Sequence, residues 1–290
     1  MKAAVLFSVF SILLGIGLGG CGYRAKPAAE AEPEKSELER FLIQESELRL
    51  TYHHAPAERK LSFQNFQGDF ESWRREALQK FAEITGYKAS EKREISELRT
   101  LKLDGVTYFA LIMEVSEDLT MPGYLLEPVG PSKGAVMAIH GHGSVEPMIG
   151  QVDDYHHQFA YELAKAGYTV LAPELRGFST LGDLARQEEI DRLDYWNTHG
   201  QFTLVTDGFL YGDSLIGETI EDLVAWEAWF FDQFDFQEID VAGISYGGDL
   251  ALFYPVFSKR VRRIFSSGSL GSFSLIFSRC YNAPAHCIPH

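Results

Sequence analysis

Gly243-Ile244-Ser245-Tyr246-Gly247-Gly248 stands between a short apolar run, Ile239-Asp240-Val241-Ala242, and a helix-forming segment, Asp249 to Tyr254. The run reads as a buried strand, so the motif occupies a strand-to-helix junction. A serine in the pattern G-x-S-x-G at such a junction sits on a sharp turn. Glycines flank it because a Cβ at either position would clash where the backbone folds past itself. The turn pushes the Ser245 Oγ out of the sheet. It also aims the amide of Tyr246, at the start of the new helix, at the place where a negatively charged oxygen would form. A glycine-rich turn with an incidental serine is the plainer alternative, and the strand–turn–helix frame weighs against it.

A second loop precedes this motif in the order that the same chemistry needs. Ala135-Val136-Met137-Ala138-Ile139 is continuously apolar, the mark of a strand covered on both faces, and His140-Gly141-His142-Gly143 follows it directly. Glycines there let the backbone approach a substrate carbonyl. The amide of His142 is the expected second oxyanion donor, with Gly143 or Ser144 as neighbouring alternatives. A tight turn that merely links sheet to helix is the competing reading. His140 and His142 could also be read as a His-x-His metal pair. Gly143-Ser144-Val145 supplies no further ligand, and His156-His157, as neighbours on a helix, would point in different directions. No metal is therefore expected. His53-His54 lies in a polar stretch and reads as solvated.

The remaining chain supplies a frame for these two loops. Tyr168 to Ala172 is another buried strand, ended by Pro173, and Arg263 to Gly268 reads as one more. Val106 to Val115 and Gly123 to Leu126 are extended, with turn signals at Asp104-Gly105 and Pro122-Gly123. Gln158 to Ala166 suits a helix. Ser214 caps a long one whose stripe is Thr219, Leu223, Trp226 and Phe230. Ser36 to Glu47 and Phe70 to Tyr87 are expected helices, the second with Trp73, Leu78, Phe81 and Ile84 at mostly helical spacing. Leu175 to Gly212 reads as irregular and aromatic, with Tyr195, Trp196, Phe202, Phe209 and Tyr211 forming either a pocket wall or a packed lid. The alternation of strand and helix predicts an α/β fold with right-handed crossovers and a mostly parallel sheet, flanked by helices and preceded by a helical extension. The site is expected at the carboxyl edge of that sheet.

With 290 residues, 46% of them hydrophobic, the chain can bury a sizeable core. A formal charge of -15 argues against nucleic acid as a partner, since no basic stripe could collect phosphates. Lys2 and the apolar stretch Ala3 to Gly20 lead into Leu18-Gly19-Gly20-Cys21, which resembles the lipobox of bacterial lipoproteins. An ordinary signal peptide and an uncleaved membrane helix are the competing readings. Lipidation at Cys21 implies a membrane-anchored protein of the bacterial cell envelope. Gly22, rather than Asp, favours the outer membrane by resemblance to known lipoprotein sorting. The expected organisation is a signal peptide over 1–20, a flexible tether over 21–35, a helical extension over 36–92 and the α/β domain over 93–290. Cys280 and Cys287 can pair outside the cytoplasm or serve as two small buried apolar residues.

Taken together, Ile139-His140-Gly141-His142-Gly143, then Glu174-Leu175-Arg176-Gly177, then the Ser245 motif resemble the α/β-hydrolase family. The likeness is to its dienelactone hydrolase-like and acetyl xylan esterase-like branch and covers approximately Leu101 to Gly268. The serine motif is also similar to that of prolyl oligopeptidase-type peptidases, but the part before it is too short for their β-propeller. The resemblance implies a serine nucleophile, a histidine base and an Asp or Glu that orients the base. Ser245 would attack a small ester, the amides of Tyr246 and His142 would hold the oxyanion, and no cofactor is implied. The family order is serine, acid, histidine, yet from Leu250 to His290 there is neither Asp nor Glu, and His286 and His290 are the only histidines. The expectation is therefore a truncated member of impaired activity, closing after the strand near 263–268. The alternative from another class is an inactive hydrolase-fold lipoprotein that binds a ligand.

Overall fold

The computed structural model describes residues 61–89, 93–117, 119–178, 201–269 and 271, all within the unit Ser46–His290. In chain order the elements are α1 (Phe70–Thr85), β1 (Ile95–Leu103), β2 (Val106–Ser116), β3 (Leu119–Pro128), β4 (Ala135–Ile139), α2 (Phe159–Lys165), β5 (Thr169–Pro173), α3 (Gln201–Tyr211), α4 (Leu215–Gln233), β6 (Ile239–Ile244), α5 (Tyr246–Phe253) and β7 (Val261–Ser267), with a 3₁₀ turn at Tyr254–Val256.

The seven strands form one sheet in the order β1-β2-β3-β5-β4-β6-β7. β5, β4, β6 and β7 run parallel. β1, β2 and β3 form an antiparallel meander joined to β5. The sheet is thus mixed, with its parallel half where the serine motif lies. β4 and β5 are buried at every position, as their uninterrupted apolar runs require. β4 divides its side chains between two cores. Met137 and Ile139 meet Ile220, Leu223, Trp226 and Phe230 of α4, whereas Val136 and Ala138 join Ala160, Tyr161 and Ala164 of α2. β4 is also where the winding reverses, because β5 lies on one side of it and β6 on the other. That reversal makes the carboxyl ends of β4 and β6 the place where a ligand crevice is expected.

α4 is the main packing element on its face. Ser214 caps it by accepting from Gly217 N–H at 3.0 Å, and the same hydroxyl donates to Thr85 O at 2.6 Å. This ties the end of α1 to the start of α4. A Cβ on Gly217 would stand 2.1 Å from Thr85 O, so only glycine permits the approach. α1 starts at Asp69, which accepts from Ser72 N–H, and stops at Gly86 with φ 72°. Tyr87 then stacks on Phe257 at 3.8 Å.

Four features depart from the sequence reading. The turn expected at Pro122-Gly123 lies inside β3, where Pro122 pairs with Ile112 and Gly123 with Leu111. β1 was not expected, and every one of its residues after Ile95 is exposed. Part of the segment expected to be irregular is the helix α3. His156 and His157 precede α2 rather than lie on it, and His157 and Gln158 take positive φ values of 50° and 54°. The expected signal peptide, tether and Ser36–Glu47 helix lie outside the described residues, as do Cys21, Cys280, Cys287, His286, His290, Tyr195 and Trp196. Among the described residues no helix is long and apolar enough to cross a membrane.

Candidate active site

Ser245 links β6 to α5 with φ 55° and ψ -123°, a backbone conformation that L-residues rarely adopt. Its N–H donates to Ser267 O of β7 at 2.8 Å, and its carbonyl accepts from Gly248 N–H at 2.8 Å and Asp249 N–H at 3.2 Å. The chain therefore reverses within one residue and starts a helix at once. A Cβ on Gly243 would lie 2.0 Å from Gly247 O, and one on Gly247 would lie 2.2 Å from His140 O and 2.3 Å from Ile139 O. The flanking glycines are required by close approach, as the motif predicts. Ser245 is partly accessible, whereas Tyr246 is buried and its ring stacks on Phe178 at 5.6 Å. Burial pushes the Tyr246 phenol well above its ordinary pKa. Its amide opens α5, among the first-turn N–H groups that no carbonyl within the helix can reach.

The loop after β4 reaches the same point. His140 is fully buried, its Nδ1 lies 2.7 Å from Gly141 O and its Nε2 lies 2.7 Å from Glu174 Oε1. Val145 N–H donates to Glu174 Oε2 at 3.0 Å, so the buried Glu174 anchors both ends of the loop to the end of β5. Leu175 N–H also donates to His140 Nε2 at 3.0 Å, so both ring nitrogens have partners within the protein. Gly141 N–H donates to His156 Nε2 at 2.8 Å, and His156 Nδ1 lies 2.8 Å from Asp154 Oδ1. An amide donor at Nε2 places the ring proton on Nδ1, facing the carboxylate. Burial holds the His156 pKa below the usual histidine range, with Asp154 working the other way.

Peptide planarity then orients His142. The Gly141 carbonyl faces the His140 ring, so the His142 N–H of the same trans peptide points to the opposite side, away from that buried ring. The His142 carbonyl accepts from the Tyr155 hydroxyl at 2.7 Å. The ring of His142 packs on Phe178 at 5.5 Å and on Tyr246 at 5.7 Å.

Tyr155 is the residue that sequence reading missed. Burial and the charge of Asp154 raise its phenol pKa, and the neighbouring Ser245 side chain works the other way. A Cβ on Gly141 would meet the Tyr155 hydroxyl at 2.3 Å, Ile244 O at 2.8 Å and Ser245 Cβ at 3.0 Å. The nucleophile candidate, the loop and the phenol thus converge on one spot. No periodicity or motif marks Tyr155, which lies in a turn of mixed polarity. The structure brings His142, Ser245 and Tyr246 together. The pair His156–Asp154 lies beside the loop, but Gly141 N–H occupies its Nε2.

The family model for the alpha/beta hydrolase fold matches residues 134–281, just over half of the chain. The chain belongs to the α/β-hydrolase fold family. Among solved structures, this α/β hydrolase is similar to a Bacteroides fragilis protein assigned as an acetyl xylan esterase. Identity is 15% and the TM-score 0.55, over 66% of this chain and 51% of that one. Acetyl xylan esterase 1 from Thermoanaerobacterium is 17% identical with a TM-score of 0.41, over 68% and 62% of the two chains. A cold-adapted esterase from an Arctic intertidal metagenomic library is 20% identical with a TM-score of 0.42, over 57% and 62%. This α/β hydrolase therefore spans about half of the length of the first of these structures. No curated protein matches the chain.

Proposed function

We propose that the chain is a serine carboxylic-ester hydrolase of the dienelactone hydrolase-like and acetyl xylan esterase-like branch, with Ser245 forming the acyl-enzyme. The observation that carries this reading is the strained backbone of Ser245, φ 55° and ψ -123°, at a partly accessible point against the His140–Gly143 loop. Strain of this kind costs about 1–3 kcal/mol and persists where the surrounding fold enforces it, typically at functional sites. The Bacteroides fragilis structure, assigned to an esterase, supports an ester as the substrate class.

In the proposed reaction the Ser245 Oγ bonds to the ester carbonyl carbon, and the carbonyl π electrons move to its oxygen. The amides of Tyr246 and His142 stabilise that oxyanion. Collapse expels the alcohol, and water repeats the sequence on the acyl-enzyme. In the family the serine proton passes to a histidine base placed after the nucleophile, which returns it to the departing alcohol. The histidines there, His286 and His290, lie outside the described residues.

The test is hydrolysis of an aryl acetate by the full chain beside Ser245→Ala. Turnover by the full chain should fall to background when the nucleophile is removed. Equal background in both proteins would instead point to a hydrolase-fold binding protein. Activity abolished by chelators and indifferent to Ser245→Ala would point to a metal-dependent hydrolase. The Leu18–Cys21 run supports a second part of the proposal, lipid attachment at Cys21 in a bacterial envelope. Cys21→Ser should then move the protein from the membrane fraction to the soluble one, and unchanged fractionation would count against the anchor.

A further inference from the structure

We infer that Tyr155 is a hydroxyl donor at the reacting centre, held on His142 O at rest and turning to the substrate carbonyl oxygen when an ester binds. The inference rests on the ester-hydrolase reading and adds to it a side chain that no motif contains.

The first support is position. The Tyr155 hydroxyl crowds the same point beside Gly141 as Ser245 Cβ, at 2.3 Å and 3.0 Å respectively. It donates to His142 O at 2.7 Å and stands beside the Ser245 side chain. The phenol oxygen thus lies between the serine and the loop that carries the proposed oxyanion amide.

The second support is how the segment is built. Asp154 and His156, on either side of Tyr155, are both tied down. The Asp154 carboxylate accepts from His156 N–H at 2.7 Å and faces His156 Nδ1, while the Asp154 carbonyl accepts from His157 N–H at 3.1 Å. His156 is 1% exposed beneath the loop, whereas Tyr155 is 42% exposed and its ring lies on the His156 ring at 4.1 Å. His157 and Gln158 follow with φ of 50° and 54°, two successive left-handed residues without a glycine. Left-handed backbone at non-glycine residues persists only where the surroundings impose it. The effect is a tyrosine whose ring faces solvent while its hydroxyl is fixed over the nucleophile.

The chemistry follows from the protonation state. Burial and Asp154 keep the phenol protonated at neutral pH, so Tyr155 donates and does not act as a base. Donation to a substrate oxygen needs only a change of acceptor, from His142 O to the carbonyl oxygen. No proton is transferred. Such a donor strengthens as negative charge builds on the oxygen, so it acts on turnover more than on substrate binding.

The experiment compares the full chain, Tyr155→Phe and Ser245→Ala. It measures kcat and KM for an aryl acetate, the labelling rate of Ser245 by a fluorophosphonate, and thermal unfolding. Tyr155→Phe should unfold at the wild-type temperature, lose about 10- to 100-fold in kcat with KM changed by less than about threefold, and label more slowly in parallel. Unchanged kcat and labelling in the variant overturn the inference. So does a rise in KM alone, which would make Tyr155 a wall of the binding site. If the wild-type chain shows neither Ser245-dependent turnover nor labelling, the ester-hydrolase reading fails first, and the two failures are told apart. If Tyr155→Phe unfolds early, Tyr155→Leu supplies the check: a hydroxyl role requires both variants to lose kcat equally, and a packing role requires Leu to lose more.

Discussion

Ser245 pays for its exposed hydroxyl with a φ of 55° and a ψ of -123°, and any Cβ at that position shares the strain. Glycine alone adopts this region freely. Ser245→Gly should therefore be more stable than Ser245→Ala by about 1 kcal/mol, reversing the usual ranking in which glycine is the less stable choice. Urea unfolding of the two variants measures the difference, and an Ala variant equal to or more stable than Gly would show an unstrained elbow. At Gly247 the obstacles to a side chain are the carbonyls of His140 and Ile139, 2.2 Å and 2.3 Å from where a Cβ would stand, and backbone cannot step aside as a side chain can. At this scale the sequence was informative where a constraint is local. Gly243, Ser245 and Gly247 lie within five residues and announce their own turn. Tyr155 acts on a serine 90 positions away, so nothing in its neighbourhood of the chain could reveal it.

The segment from Asp154 to Gln158 works as an element, with His156 as its buried foot. His156 accepts from Gly141 N–H, and protonation of Nε2 would remove that acceptor. Its folded pKa lies below the unfolded one because of burial, against the pull of Asp154, with His140 lowering it and Glu174 raising it further. The folded state thus binds fewer protons than the unfolded state between those two values. The stability tied to this site is complete above the unfolded histidine pKa of about 6.5 and is lost as pH falls from there through the lower folded pKa. Thermal unfolding from pH 7.5 to 5.5 should show a decline that is shallower in His156→Gln. Identical slopes would show that His156 is not the group responsible. The difference between the two proteins is the quantity to read, because half-buried Glu218 and Glu221 and buried Glu227 have raised pKa values and contribute with the opposite sign. Other elements differed in how openly they declared themselves. β4, β5 and the stripe of α4 were legible because burial on defined faces imposes a pattern on the residues. β1 carries no such imprint, since Leu98, Leu101 and Leu103 stay exposed and its pairing with β2 shifts register between Glu97 and Arg99. α3 was hidden by Gly208 and by a composition with only one charged residue, Asp207, which gives no polar face to count.

Across the whole molecule, an ionic network buried around Asp222 joins parts of the chain that the sheet alone would leave separate. Arg176, just beyond β5, donates to both carboxylate oxygens of Asp222 on α4, at 2.9 Å and 2.8 Å. Arg93, ahead of β1, donates to Asp222 as well and lies 4.0 Å from Glu221. Lys88 adds its backbone N–H to Glu221 at 2.7 Å and its Nζ to Asp213 at 3.0 Å. The region between α1 and β1, the end of β5 and the first half of α4 are thereby held by one set of charges. None of this was legible beforehand, because Glu218, Glu221 and Asp222 look like the solvated face of an amphipathic helix until Arg93 and Arg176 arrive from elsewhere. The side chain of Asp222 is 4% exposed, those of Arg176 and Arg93 11% and 13%, so screening by water is slight. Removing a shared buried partner leaves uncompensated charge, which costs about 3–5 kcal/mol, far more than a surface pair is worth. Asp222→Ala should lose that much stability in urea. The combined change Asp222→Leu with Arg176→Met should lose less than Asp222→Ala, because it removes one stranded guanidinium together with its acceptor and fills the space with apolar atoms. A single-variant loss below about 1 kcal/mol, or a double variant worse than the single, would show that the charges are solvated and that α4 is held to the rest by its apolar stripe alone.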